Sequence, residues 1–309
     1  SGQWSVVAVP DRFGAAGTSV YGPDNFGDVQ GNLVGAYTRN LNGSDPTPDN
    51  PAIVGFTYTG ALDGSSDDGW LSVQGVTQLG TKGTYTFVHS VDGGLAVGNA
   101  DNADVDGLTG FFSTSSTAFI VDVASGPQTP IRFPDDRNPL VTHTAYAIWA
   151  NGGSSYTIAG GSGEVLNPAT GAVSTGQGYL IDYDAVTGRF SHYTTFPYRN
   201  RQRTAFVSHF EGIYRTGSGK YRLPASSTAL NASGELTIAS NVVVKRNRKG
   251  GFSSQAKWLD LEVTRSSDGA MSVLTTANSL YGDTTVGLAN YRDGSGGLTA
   301  LDFVAQTVS

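Results

Sequence analysis

Val34-Gly35-Ala36-Tyr37 is the stretch on which the fold turns, because versions of it return as Val97-Gly98-Asn99, Ile158-Ala159-Gly160, Leu223-Pro224-Ala225 and Val286-Gly287-Leu288. The successive intervals are 63, 61, 65 and 63 residues. Spacing this even over a whole chain of 309 residues marks a repeat architecture.

Each copy carries the same apolar neighbours. One stretch precedes it, as in Ser19-Val20-Tyr21, Thr86-Phe87-Val88 and Ser279-Leu280-Tyr281. Another follows, as in Val54-Gly55-Phe56-Thr57-Tyr58, Ala118-Phe119-Ile120-Val121 and Gly178-Tyr179-Leu180-Ile181. A fourth comes after that in four of the units, for example Trp70-Leu71-Ser72-Val73 and Phe190-Ser191-His192-Tyr193. These runs are short, β-branched or aromatic, and separated by Gly, Asp and Asn, which is strand and turn chemistry. No window sustains helical periodicity.

The fifth unit ends after three strands, and Gln3-Trp4-Ser5-Val6-Val7-Ala8-Val9-Pro10 resembles a fourth. The expectation is one all-β domain over residues 1–309, a five-bladed β-propeller with four antiparallel strands per blade. Residues 1–10 would be the outer strand of blade five, beside Leu298 to Val304, with blades at 11–80, 81–138, 139–203, 204–268 and 269–309. First strands would line the central channel.

Units of the form Tyr-x-Ile, Val-Gly-x-Tyr and Gly-Phe-x-Tyr-x-Gly, seen here as Val20-Tyr21, Val34-Gly35-Ala36-Tyr37 and Val54-Gly55-Phe56-Thr57-Tyr58, resemble the HAF-type repeats of bacterial extracellular propeller-like proteins. The likeness fades in the fourth unit, where Leu223-Pro224 replaces Val-Gly. It implies the propeller fold and a secreted, periplasmic or cell-surface location, and little about chemistry. Met271 is the only methionine, so an N-terminus trimmed by signal-peptide or tag removal is expected.

Zero cysteines leave neither disulfides nor thiolate metal sites. No apolar stretch approaches the length of a membrane span, and a pI near 5.0 argues against a nucleic-acid partner. Charge is nonetheless segregated. Residues 1–110 hold twelve Asp, no Glu and three basic residues, whereas residues 189–265 hold thirteen Lys or Arg against four acids. Opposed flanks suggest salt-sensitive self-association, or an anionic extracellular ligand such as an acidic polysaccharide at Arg199-Asn200-Arg201-Gln202-Arg203 and Lys245-Arg246-Asn247-Arg248-Lys249. A solvated hairpin edge is the plainer reading of such runs.

The channel-lining strands carry the candidate site. His143 and His209 occupy nearly matching places in adjacent units, and with Glu211 or Asp24 they are candidates for acid and base, or for a divalent metal. Hydrogen bonding between blades is the plainer role. Tyr146, Trp149, Arg215 and Asn278 are candidates for ligand contact. Asn102-Ala103-Asp104-Val105-Asp106-Gly107 has the spacing of three oxygen ligands for a structural Ca²⁺, although Ser113 stands where an EF-hand needs an acid. No cofactor is required by any motif. No complete catalytic constellation stands in the sequence, so recognition of a carbohydrate or other anionic ligand, or surface architecture, is favoured over catalysis. The alternative is a glycoside-type hydrolase using paired carboxylates in the channel.

Overall fold

A computed structural model describes residues 7–23, 30–61, 65–77, 80–101, 117–134, 141–167, 172–199, 205–231, 234–261, 263–292 and 297–306. The chain is all-β. Its only helical turns among these residues are short 3-10 segments at Asp11–Phe13 and Asp67–Gly69. Among the described residues no helix is long and apolar enough to cross a membrane. The chain divides into two compact units, residues 1–153 with 165–172, and residues 154–164 with 173–309.

In the first unit, β1 (Ala15–Pro23), β2 (Gln30–Arg39), β3 (Ile53–Ala61) and β4 (Trp70–Val73) form one antiparallel meander. β5 (Tyr85–Asp92), β6 (Leu95–Asp101), β7 (Thr117–Asp122) and β8 (Gln128–Pro130) form the next. The repeat spacing predicts separate four-stranded sheets, but these two join into an eight-stranded sheet. The junction is a single parallel pair, Ile53 with Tyr85, so the two ladders touch at one point. β9 (Val141–Gly152) packs along β5, where the Ser90 hydroxyl accepts from Ile148 N and the Asp92 carboxylate from Ala150 N.

The second unit holds β10 (Ser155–Asn167) up to Glu164, β11 (Ala172–Asp184) from Val173, and β12 (Arg189–Phe196), the three adjacent in that order. It continues with β13 (Ala205–Phe210), β14 (Tyr214–Arg215), β15 (Lys220–Asn231), β16 (Gly234–Lys245) and β17 (Lys257–Asp260). β18 (Leu274–Tyr281), β19 (Thr284–Arg292) and β20 (Leu298–Gln306) complete it, joined to β16 by one parallel pair, Thr237 with Leu274.

The recurring glycine has a specific mechanical cause. Gly35 pairs with Phe56, Gly98 with Phe119 and Gly287 with Phe303, each Phe reaching in from the third strand of its meander. A Cβ at these glycines would stand 2.0, 2.0 and 1.9 Å from the carbonyls of Ser19, Phe87 and Thr276, on the first strands. The carbonyl comes so close because each first strand bulges there. One extra residue, Tyr21, His89 or Asn278, sits between paired neighbours. Bulges of this kind re-aim a side chain.

The N-terminal strand is corrected in part. Residues 1–6 lie outside the described residues, but residues 7–10 form no strand. Val9 is buried with Leu33, Tyr37, Val54, Phe56, Tyr58 and Trp70 in the core of the first meander, and its N–H donates to Thr18. Apolar burial there competes with the expected edge pairing. Among the described residues β20 pairs with β19 alone, leaving Leu298, Leu301 and Val304 exposed.

Candidate functional site

The bulges bring two of the recurring positions together. Tyr21 and His89, presented by β1 and β5, lie with ring centroids 5.4 Å apart. Tyr146 of β9 lies 4.6 Å from His89 on another side, and Phe87 stacks near-parallel at 5.8 Å. Tyr21 is 44% exposed, so the cluster reaches the surface. His89 Nε2 is 2.7 Å from Asn99 Oδ1, and the Asn99 amide donates in turn to Asp101. The Nε2–H tautomer fits this contact, since an amide oxygen can only accept. Burial pushes the Tyr21 hydroxyl above its ordinary pKa, with the Ser19 hydrogen bond working the other way. Chemically this is a ring platform flanked by an amide and a carboxylate, a combination suited to ligands with both C–H and hydroxyl surfaces. Trp149 lies half-buried farther along β9.

The other expected site residues have separate fates. His143 is buried, its ring parallel to Phe133 at 3.7 Å between centroids. His209 belongs to the second unit, where its Nε2 lies 2.5 Å from Glu211 Oε1. Glu211 is further held by its N–H, which donates to the Pro224 carbonyl. Arg215 and Asn278 are exposed, and Asn278 accepts from the Thr276 hydroxyl. Asp24 and the calcium candidates Asn102, Asp104 and Asp106 lie outside the described residues, as do Arg201 and Arg203. Among the described residues no three His, Asp or Glu side chains group as a metal site.

A second polar cluster, within the second unit, went unmarked in the sequence. Asp182 of β11 is buried and saturated. Its Oδ1 accepts from the Thr157 hydroxyl at 2.8 Å and from Arg246 Nη2 at 2.7 Å. Its Oδ2 accepts from Arg246 Nη1 at 2.7 Å and from His192 Nδ1 at 2.8 Å. Arg246 also donates to the Tyr221 hydroxyl and the Gly250 carbonyl, and lies over the Tyr221 and Phe252 rings. Burial works against its charge, but Asp182 outweighs burial and holds the guanidinium pKa above its ordinary value. The basic run around it was read as solvated or ligand-facing. For Arg246 that is corrected: a bidentate carboxylate and two aromatic faces draw this one guanidinium inward.

His192 is the unusual member. Its φ of 57° is left-handed, a conformation that costs a residue with a Cβ about 1 kcal/mol or more. The β11–β12 register explains it. Leu180 pairs with Thr194 and Asp182 with Ser191, so His192 and Tyr193 together face Ile181 in a bulge. The imidazole is thereby turned onto Asp182 while 43% of the side chain stays exposed.

No protein-family model matches the chain, and no curated protein matches it. Among solved structures, an ulvan lyase from a polysaccharide lyase family is similar over 94% of this chain, with TM-score 0.46 and 10% identity. This chain covers 66% of that lyase, just under two thirds, and the lyase has also been solved bound to -[GlcA(1-4)Rha3S]-. An α-L-arabinofuranosidase from Podospora anserina, in complex with cellotriose, is similar over 98% of this chain and 94% of its own, with TM-score 0.42 and 13% identity.

Proposed function

We propose that the protein is a secreted or cell-surface carbohydrate-binding protein on a five-bladed propeller scaffold, and that the sugar sits on Tyr21, His89 and Tyr146. The observation that carries this reading is the bulge-built ring cluster of the first unit, with rings 5.4 and 4.6 Å from His89 and with Asn99 and Asp101 behind it. A pyranose offers C–H faces to aromatic rings and hydroxyls to polar groups, and here Asn99 and Asp101 fix the orientation of the His89 ring.

A glycan array followed by calorimetry tests it. Tyr21→Ala and Tyr146→Ala should each weaken binding of an array hit about ten-fold, the size of an interface anchor. Val186→Ala, at a position 84% exposed, should leave it unchanged. Array hits indifferent to both tyrosines would overturn the reading. The hydrolase alternative rests on the Glu211–His209 contact at 2.5 Å, a carboxylate hydrogen-bonded to an imidazole. Release of reducing ends that disappears in Glu211→Gln would put it in first place.

A further inference from the structure

We propose that His192 and the basic turn 247–251 form a second sugar-contact site, in the second unit, selective for acidic sugars. The inference rests on the carbohydrate reading and deepens it by naming a ligand class. Asp182, clamped by Arg246, accepts on both oxygens, so Nδ1 of His192 is the donor in their contact. When the ring is neutral, Nε2 then carries its lone pair. That atom has no hydrogen-bond partner among the described residues.

Three further features mark this nitrogen as a contact point. The left-handed φ of 57° and the bulge hold the ring in an orientation that ordinary strand geometry would not give. The turn is braced, with Asn247 N donating to Gly251 O and Lys249 N to Asn247 Oδ1. Its two glycines lie along the ring: a Cβ at Gly250 would stand 3.9 Å from His192 Cε1, and one at Gly251 3.4 Å from Cδ2. Backbone without side chains therefore lies against the imidazole. Arg248 and Lys249, in the same turn, are exposed. An acceptor nitrogen beside exposed cations suits a molecule that offers a hydroxyl and a carboxylate or sulfate together, which is the chemistry of an acidic sugar.

The test measures binding of polygalacturonate and of neutral dextran to the whole chain, in wild type, His192→Ala, Arg248→Ser/Lys249→Ser and Tyr21→Ala, with ¹⁵N spectra of the imidazole. The expected result is a loss of about ten-fold in polygalacturonate affinity for His192→Ala and for the double serine variant, with any dextran binding untouched. The wild-type Nε2 resonance should move as polygalacturonate is added. The double variant changes only exposed side chains, and an unchanged urea midpoint separates its loss from unfolding. Polygalacturonate affinity unaltered in both variants, or an Nε2 signal that stays fixed on saturation, overturns the proposal. If Tyr21→Ala abolishes binding while His192→Ala does not, the carbohydrate reading stands and this site falls. If the wild type binds neither polymer and Nε2 does not move, this site falls too, and the array decides the broader reading separately.

Discussion

Gly98→Ala should cost far more than a glycine substitution in a strand ordinarily does. The added Cβ would lie 2.0 Å from the Phe87 carbonyl oxygen and 3.0 Å from Phe119 Cζ. Favourable carbon contacts lie near 3.5 Å, so β5 and β6 must separate by roughly 1.5 Å at this point. A backbone carbonyl cannot swing aside as a side-chain end does, and Val88 and Gly98 are direct partners in the ladder. Overpacking of this kind costs about 1–3 kcal/mol, and each strained ladder hydrogen bond adds about 1 kcal/mol. We expect a loss of about 3 kcal/mol, read from urea unfolding, together with faster amide exchange along β5. Gly217→Ala is the matched control, since nothing lies within 4 Å of its Cβ. There the change should stay near zero or stabilise slightly, by stiffening the unfolded chain. Equal effects at the two glycines would refute the close-approach argument.

Stability should also fall in acid through three turn carboxylates. Ser125 holds Asp122 low, the Thr187 turn does the same for Asp184, and Arg265 draws Asp268 down to about 2. Depressed folded values mean stabilisation that is complete above the unfolded range near 3.9 and lost as pH drops below it. Urea midpoints should therefore decline from about pH 4 towards pH 2, and Asp122→Asn should flatten the slope. If Asn102, Asp104 and Asp106 hold calcium, rising calcium should raise the melting temperature by mass action. An unchanged curve after EDTA and then calcium would dismiss a cation there.

The β-meanders were legible because a glycine whose Cβ would meet a first-strand carbonyl at about 2 Å leaves a fixed mark in the sequence, at Gly35, Gly98 and Gly287. The ladder strands followed from it. The N-terminal segment was not, since Val9 is equally fit to pair at an edge or to fill the pocket beside Trp70, and burial won. Matching places in the repeat suggested a shared role for His143 and His209. Their surroundings separate them, one against the Phe133 ring and the other against Glu211. His192 was invisible for a different reason. Its interest depends on a left-handed φ and on Arg246, 64 residues beyond Asp182, and neither leaves a local pattern. Tyr146 stood out in the sequence as a ligand contact, but the bulges that set Tyr21 and His89 beside it need the register to be seen.

The glycine–carbonyl contact also separates what holds the sheet from what it displays. In each bulge the strain falls on the glycine and the carbonyl two places earlier in the first strand, while the displayed residue is tyrosine in one meander, histidine in another and asparagine in a third. Three different side chains on one backbone socket mean that the displayed group can be exchanged with little reference to the scaffold. The fold thus offers drift and selection a set of interchangeable fittings, and the same positions are where a library would be randomised to retarget binding.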